Sequence, residues 1–185
     1  MGDWVVALST IISAQSRVVR KGRARCVQNR RKEAKMITRL FEVAIVVREL
    51  DAAVEKYSQV LGITPLFMKA EDIPFPGIKV AVFLIGDVVL SLIGSEQADS
   101  PVADFLETRG EGLYLIGLGV TDIEQHMREA GERGVRFVMD KPLPYIAGKQ
   151  NISLPESMHG VQICWAEHRP DWDIARSPRE LWGSP

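Results

Sequence analysis

The stretch LFEVAIVVRELDAAVEKYSQVLG, Leu40 to Gly62, decides the fold. Its first eight residues, Leu40–Val47, form a nearly continuous apolar run rich in β-branched side chains, which predicts a buried strand. From Arg48 to Leu61 the spacing changes, and Leu50, Val54, Tyr57 and Leu61 fall on one stripe of a helix. Gly62 ends that helix, because glycine accepts left-handed backbone without a steric cost. Further strands are predicted at Pro65–Lys69, Lys79–Ile85 and Val88–Ile93, the last two joined by the hairpin pair Gly86-Asp87.

The same order then returns. Ser100 and Pro101 read as N-cap and first residue of a connector helix over 100–109, closed by Gly110. Gly112–Val120 is a strand, and Thr121–Arg133 is a helix opened by a capping box of Thr121 with Glu124. Gly134 stops it, and Val135–Met139, Gln150–Leu154 and Gly160–Ala166 supply further strands. The two passes superpose at an offset of 73, placing Val47 on Val120, Glu49 on Asp122, Leu50 on Ile123 and Val54 on Met127. A βαβββ module occurring twice, at about 37–96 and 112–167, is a restrictive description. Residues 168–185 form a polar C-terminal tail holding Trp172 and Trp182, which either docks on the body or covers a pocket entrance.

Composition bounds the function. The chain has 185 residues, 46% of them apolar, with 23 Lys+Arg against 24 Asp+Glu. That suits one domain with a sizeable core, and the balance argues against nucleic acid as a partner. No apolar run approaches the roughly 18–20 residues of a membrane span, so no membrane partner is expected. The near-neutral total conceals an asymmetry: residues 1–35 carry nine bases against Asp3 and Glu33, leaving an acidic remainder. This basic leader is expected to be disordered or extraneous, either an organelle presequence or translated sequence upstream of a start at Met36; the second reading is preferred. Cys26 and Cys164 form no disulfide framework, which suggests a reducing compartment. The expected location is the cytoplasm, or the mitochondrial matrix if the leader is a presequence.

Alternation says how the strands are used. Leu40, Glu42, Ala44 and Val46 share one face, opposite Phe41, Val43, Ile45 and Val47. Tyr114, Ile116, Leu118 and Val120 oppose Leu115, Gly117 and Gly119, while Val161, Ile163 and Trp165 oppose Gln162, Cys164 and Ala166. The bulky face suits packing against helices. The smaller, partly polar face suits either a cavity wall or a subunit contact.

Residues 37–167 resemble a known family through Ile45-Val46-Val47-Arg48-Glu49-Leu50-Asp51-Ala52-Ala53, Tyr57-Ser58-Gln59-Val60-Leu61-Gly62 and Lys79–Asp87. Asp99–Leu106, Arg109–Leu113 and Gly160-Val161 continue the likeness. It is to the vicinal oxygen chelate superfamily, in its methylmalonyl-CoA epimerase-like branch. The resemblance implies an α+β fold in which two βαβββ modules form an eight-stranded open barrel. It also implies a homodimer and a small-molecule ligand, with an acyl-CoA suggested by the branch. Arg136, Lys141 and Lys149, around the Pro142–Gly148 loop, are candidates to meet its phosphates.

The family holds a divalent metal on one residue from the first and last strand of each module. Those positions fall here on Glu42, Ser91, Leu115 and Cys164, themselves two pairs separated by 73. Leu115 has no donor atom, Ser91 is a weak ligand, and a hard carboxylate pairs badly with a soft thiolate. No metal or other cofactor is therefore expected. The same positions nominate Glu42 as a base and Cys164 as an acid or nucleophile, with Ser91, Leu115, Gln162 and His159 in the substrate pocket. His126 is expected on a helix surface, and His168 at the start of the tail. Two functions stay open. One is an isomerase or lyase that abstracts a proton α to a carbonyl through Glu42, with a degraded metal site. The other is a non-catalytic binding protein for an acyl-CoA or hydrophobic ligand, like the metal-free bleomycin-resistance proteins.

Overall fold

The computed structural model describes residues 36–183, so the expectations for residues 1–35 lie outside it. In chain order the elements are β1 (Ile37–Val46), α1 (Leu50–Leu61), β2 (Leu66–Phe67), β3 (Ile78–Ile85), β4 (Val88–Ser95) and α2 (Pro101–Arg109). They continue with β5 (Gly112–Val120), α3 (Ile123–Glu132), β6 (Leu143–Tyr145), β7 (Gly148–Ser153), β8 (Gln162–His168) and α4 (Ser177–Trp182). All eight strands join one curled sheet in the order β2-β3-β4-β1-β5-β8-β7-β6, a half-barrel of the expected α+β class. The order is a palindrome of the two modules: β1 runs parallel to β4, β5 parallel to β8, and β1 meets β5 antiparallel at the centre. Among the described residues no helix is long and apolar enough to cross a membrane.

The helices cover the outer face. On α1 the Leu50, Val54, Tyr57 and Leu61 stripe packs against Ala81, Phe83 and Leu92. On α3, Ile123 and Met127 pack against Ile163 and Trp165. Gly62 takes the left-handed conformation at the end of α1 (φ 66°), and the Ser100 side chain accepts from Ala103 N at the start of α2. A third cluster, including Val46, Val82, Ile93, Leu115 and Cys164, lies on the inner face.

Four sequence expectations are corrected. Asp122, not Thr121, caps α3, accepting from Gln125 N at 2.8 Å; Glu124 instead binds Lys149, and Glu167 Oε2 accepts from Ile123 N. Val135–Met139 is not a strand. Only Phe137 bridges to Ser153, and Asn151 Oδ1 accepts from Met139 N where a ladder would otherwise continue. The outer strand is Leu143–Tyr145, whose Pro144 is tolerated at a sheet edge. The tail starts later than expected, because His168 ends β8; it docks on the body, one of the two roles open to it, with Ile174 and Pro178 buried.

The fourth correction concerns the central strands. Strict alternation places Phe41 and Tyr114 on the outer face, yet both line the inner cavity beside Glu42 and Leu115. The register explains it. Leu40 pairs with Leu118 and Glu42 with Gly117, leaving Phe41 as an extra residue; Ala44 pairs with Leu115 and Ile45 with Leu113, leaving Tyr114 extra. Each is a β-bulge, which re-aims the side chain beside it. The bulged residues are themselves 73 apart, so the repeat extends to its irregularities. Gly117 makes room for the first, since a Cβ there would sit 2.7 Å from Phe41 Cζ and 2.8 Å from Glu42 Cβ. Gly117→Ala is expected to cost about 1–3 kcal/mol in a urea denaturation series; an unchanged midpoint would contradict this account of the bulge.

Candidate functional site

The inner face lines a predominantly apolar, partly open cavity of about 240 Å³. Its position follows from the repeat. The strands β1, β4, β5 and β8 sit at the middle of the sheet and present Glu42, Ser91, Leu115 and Cys164 to the same space. Gln162 also lines it, donating from Nε2 to Tyr114 O at 3.2 Å. His159 does not belong to that wall: it is exposed in the turn before β8, in left-handed backbone with φ 55°.

Glu42 is the chemically distinctive group. Ser91, itself buried, donates from Oγ to Glu42 Oε1 at 2.7 Å, and no ion pair to Glu42 is formed among the described residues. Glu42 is half-buried in the cavity wall, and desolvation there pushes its pKa above the ordinary carboxylate value; the Ser91 hydrogen bond only partly opposes this. Such a carboxyl is poised to exchange a proton nearer neutrality than a solvated one. Cys164 is buried and directs Sγ toward Gln150 Oε1 at 3.5 Å. Burial, reinforced by Glu42, raises its pKa strongly, which keeps the thiol protonated and makes it a poor nucleophile.

These side chains do not fit the family's metal. Leu115 offers no donor, Cys164 resists the deprotonation a metal thiolate requires, and burial favours neutral Glu42. Among the described residues one other acidic group has suitable ligand spacing: Asp122, Glu124 and Glu167, on the outer face. Each is already engaged, Asp122 and Glu167 in capping α3 and Glu124 with Lys149.

Several cavity groups escaped the sequence reading. His168 follows Cys164 and Ala166 at spacing two along β8, and that parity was the available signal. Its ring meets Phe41 edge-on at 4.6 Å, and Arg39 Nη2 lies 3.4 Å from Nδ1. A guanidinium cannot accept, so Nδ1 must, which puts the proton of the neutral ring on Nε2. Tyr145, on edge strand β6, lines the cavity, and its buried hydroxyl has no hydrogen-bond partner among the described residues. The tail adds to the wall: Trp172, Ile174, Pro178 and Trp182 line the cavity, and Trp182 Nε1 donates to Asp72 Oδ2 at 2.8 Å. His126 also differs from expectation, being partly buried against Trp165 with ring centroids 4.1 Å apart. Of the three bases near the Pro142–Gly148 loop, Lys149 pairs with Glu124 and Arg136 with Glu156.

Burial, then the Arg39 charge, lowers the His168 pKa from 6.5 to about 4. A depressed folded value contributes stability that is present above pH 6.5 and lost as pH falls through about 4. The shift corresponds to about 3 kcal/mol for a fully buried ring, and to about half of that for one with partial exposure. His168→Phe should flatten the acid limb of the stability curve over that window. An acid limb identical to wild type in pH-dependent melts would exclude this assignment.

Comparison with known proteins agrees with the architecture. The family model described as Glyoxalase/Bleomycin resistance protein/Dioxygenase superfamily matches residues 41–152. Uncharacterized protein YqjC of Bacillus subtilis is 29% identical over 136 residues, 73% of this chain and 96% of that protein. The mitochondrial methylmalonyl-CoA epimerase of Homo sapiens is 28% identical over 129 residues, 68% of this chain and 71% of its own. Among solved structures, methylmalonyl-CoA epimerase from Mycobacterium tuberculosis superposes with a TM-score of 0.65 at 27% identity, covering 76% of this chain and 95% of that one. The fold, the duplicated site and these relatives together show that the chain belongs to the glyoxalase, or vicinal oxygen chelate, superfamily, with methylmalonyl-CoA epimerases among its relatives.

Proposed function

We propose that this protein is an isomerase of the epimerase-like branch that moves a proton at the carbon next to a carbonyl, with Glu42 as the proton-carrying group. The observation that carries the reading is one half-buried carboxyl, without a cationic partner among the described residues, facing an apolar cavity. In its ionised form Glu42 takes the α-proton; the C–H electron pair moves into the new C–C double bond, and the carbonyl π pair onto oxygen. The enolate then collapses as Glu42 returns the proton to carbon, so atoms and charge balance over the cycle; return to the same face gives hydrogen exchange alone, and the epimer forms when the enolate turns its other face to Glu42 before reprotonation. Ser91 holds the carboxyl in position through its 2.7 Å hydrogen bond. Cys164 and Leu115 shape the opposite wall, and no step needs a metal at the four-residue position.

The relatives supply the substrate class. One solved methylmalonyl-CoA epimerase, with a TM-score of 0.64, contains methylmalonyl-CoA. An acyl-CoA, with its acyl end in the cavity, is the first candidate here. The competing reading as a ligand carrier expects an open groove and Glu42 paired to a base; the carboxyl without a cationic partner among the described residues weighs against it.

The test is hydrogen exchange. Purified protein is incubated in deuterated buffer with a panel of acyl-CoAs and α-substituted ketones, and loss of the α-proton signal is followed by NMR. Exchange on at least one member, depending on Glu42, is expected. Ligand binding with no exchange across the panel would leave the carrier reading in its place.

A further inference from the structure

The charge of the cavity wall is one-sided. Its ionisable side chains are Glu42, Asp72, Tyr114, Tyr145, Cys164 and His168, and among the described residues no Lys or Arg lines it. One guanidinium adjoins the wall without lining it: Arg39 Nη2 lies 3.4 Å from His168 Nδ1. The His168 ring, neutral with its proton on Nε2, brings no charge of its own. Three donors of the lining residues are already engaged, Ser91 Oγ with Glu42, Gln162 Nε2 with the Tyr114 carbonyl and Trp182 Nε1 with Asp72.

Around these groups the wall is hydrocarbon. The first module contributes Val82, Val89 and Ile93, and the second Leu115 and Ile152. Val89 borders the reacting group, since it is the register partner of Glu42 on the neighbouring strand and stands two residues before Ser91. A cavity of about 150 Å³ with walls of this kind holds benzene, so the 240 Å³ here suits a guest of roughly ten carbon atoms. A carboxylate placed in that space would give up its hydration without gaining a cation. Ionised Glu42 and Asp72 would also repel it. An apolar group in the same place gains free energy by leaving water.

We infer that the substrate end held in this cavity is an uncharged hydrocarbon group of roughly six to ten carbons beside the reacting carbonyl, and that the site rejects acyl groups bearing a free carboxylate. The inference rests on the proton-transfer reading for the reaction, whereas the selectivity of binding follows from the wall alone. It separates this chain from its methylmalonyl-CoA relatives. The acyl end of methylmalonyl-CoA carries a carboxylate on the carbon next to the thioester, and no cation lines this cavity among the described residues to meet it. Val89 sets the room beside Glu42 and so determines how large a hydrocarbon group enters. The group arrives on a thioester or on a ketone, and both share the same apolar neighbour to the carbonyl.

Calorimetric titration at neutral pH tests this apart from turnover. Isobutyryl-CoA is compared with methylmalonyl-CoA, and para-methylacetophenone with para-acetylbenzoate; in each pair a methyl group becomes a carboxylate. Wild type should prefer the methyl member of at least one pair by on the order of 10²-fold, and that pair identifies thioester or ketone as the carrier. Along the straight-chain series of that carrier, acyl-CoAs or methyl ketones, affinity should climb about threefold per methylene and level off near roughly ten carbons. Val89→Phe should weaken binding of the eight-carbon member by about tenfold and leave the shortest member within about twofold. Its thermal midpoint checks that it folds, and the wild-type comparisons decide the matter if it does not. The idea fails if neither pair discriminates, if affinity ignores chain length, or if folded Val89→Phe binds the eight-carbon member as wild type does. Selective binding with no α-proton exchange would remove the proton-transfer reading and leave this selectivity standing. Tight binding of methylmalonyl-CoA with exchange would do the reverse.

Discussion

Glu42→Gln should lower α-proton exchange by about 10³-fold and, at pH 8, raise the thermal midpoint at the same time. The two effects share one cause. Gln keeps an oxygen to accept the Ser91 hydrogen bond, so the local geometry survives, but it cannot take a proton from carbon. On the stability side, Glu42 has a folded pKa above its unfolded 4.5. Its favourable contribution is therefore full below pH 4.5 and is lost as pH rises through the folded value. Above that value wild type holds a desolvated charge with no cationic partner, whereas the variant does not. Wild type and variant should converge in stability near pH 4 and separate by about 1–3 kcal/mol at pH 8. Rate against pH should rise in wild type through the elevated Glu42 pKa, since the ionised form is the base. Parallel stability curves from pH 4 to 8 would falsify the placement of a strained carboxyl at this site.

The second large effect concerns the tail. Trp182→Ala should destabilise the protein by about 2–4 kcal/mol and admit a dye such as anilinonaphthalene sulfonate to the cavity. The ring packs against the inner cluster, and its indole N–H makes the 2.8 Å bond to Asp72 just beyond β2. Removing both releases α4 from the sheet edge and exposes apolar surface that Ile174 and Pro178 also help cover. Trp182→Phe separates the contributions: it keeps most of the packing and loses the hydrogen bond, for about 1 kcal/mol. A midpoint fall of roughly 5–15 °C is expected for Ala, and only a few degrees for Phe. If Ala and Phe behave alike, or if Ala leaves dye fluorescence unchanged, the tail is not what walls the cavity.

Much of this was legible in the sequence because it depends on period. The Leu50-Val54-Tyr57-Leu61 stripe, the hairpin at Gly86-Asp87 and the 73-residue offset each follow from local repetition that tertiary context did not override. The offset also brought Glu42, Ser91, Leu115 and Cys164 to one cavity. What alternation could not carry was a break in alternation. At Phe41 and Tyr114 one extra residue enters the strand, and the side chain next to each site position turns inward. Tyr145 was hidden for a different reason: it sits on a three-residue edge strand too short to show a period. The tail's two tryptophans announced a docked or covering segment, but its charges hid the inward-facing Ile174 and Pro178.

The paired bulges have a stereochemical consequence. They give the cavity two nearly equivalent halves, each presenting an aromatic ring followed by a site residue: Phe41 with Glu42, and Tyr114 with Leu115. At these two positions alone, the frame offers a small ligand two settings related by half a turn. Chemistry breaks the tie, because one half carries an acid and the other a hydrocarbon. A guest whose polar end faces Glu42 keeps a hydrogen-bonding neighbour, and the same guest reversed buries that end against Leu115. The difference is worth about 1–3 kcal/mol, roughly a 5- to 150-fold bias toward a single pose. The duplicated frame thus supplies the symmetry of the chamber, and the loss of a donor at position 115 gives it handedness.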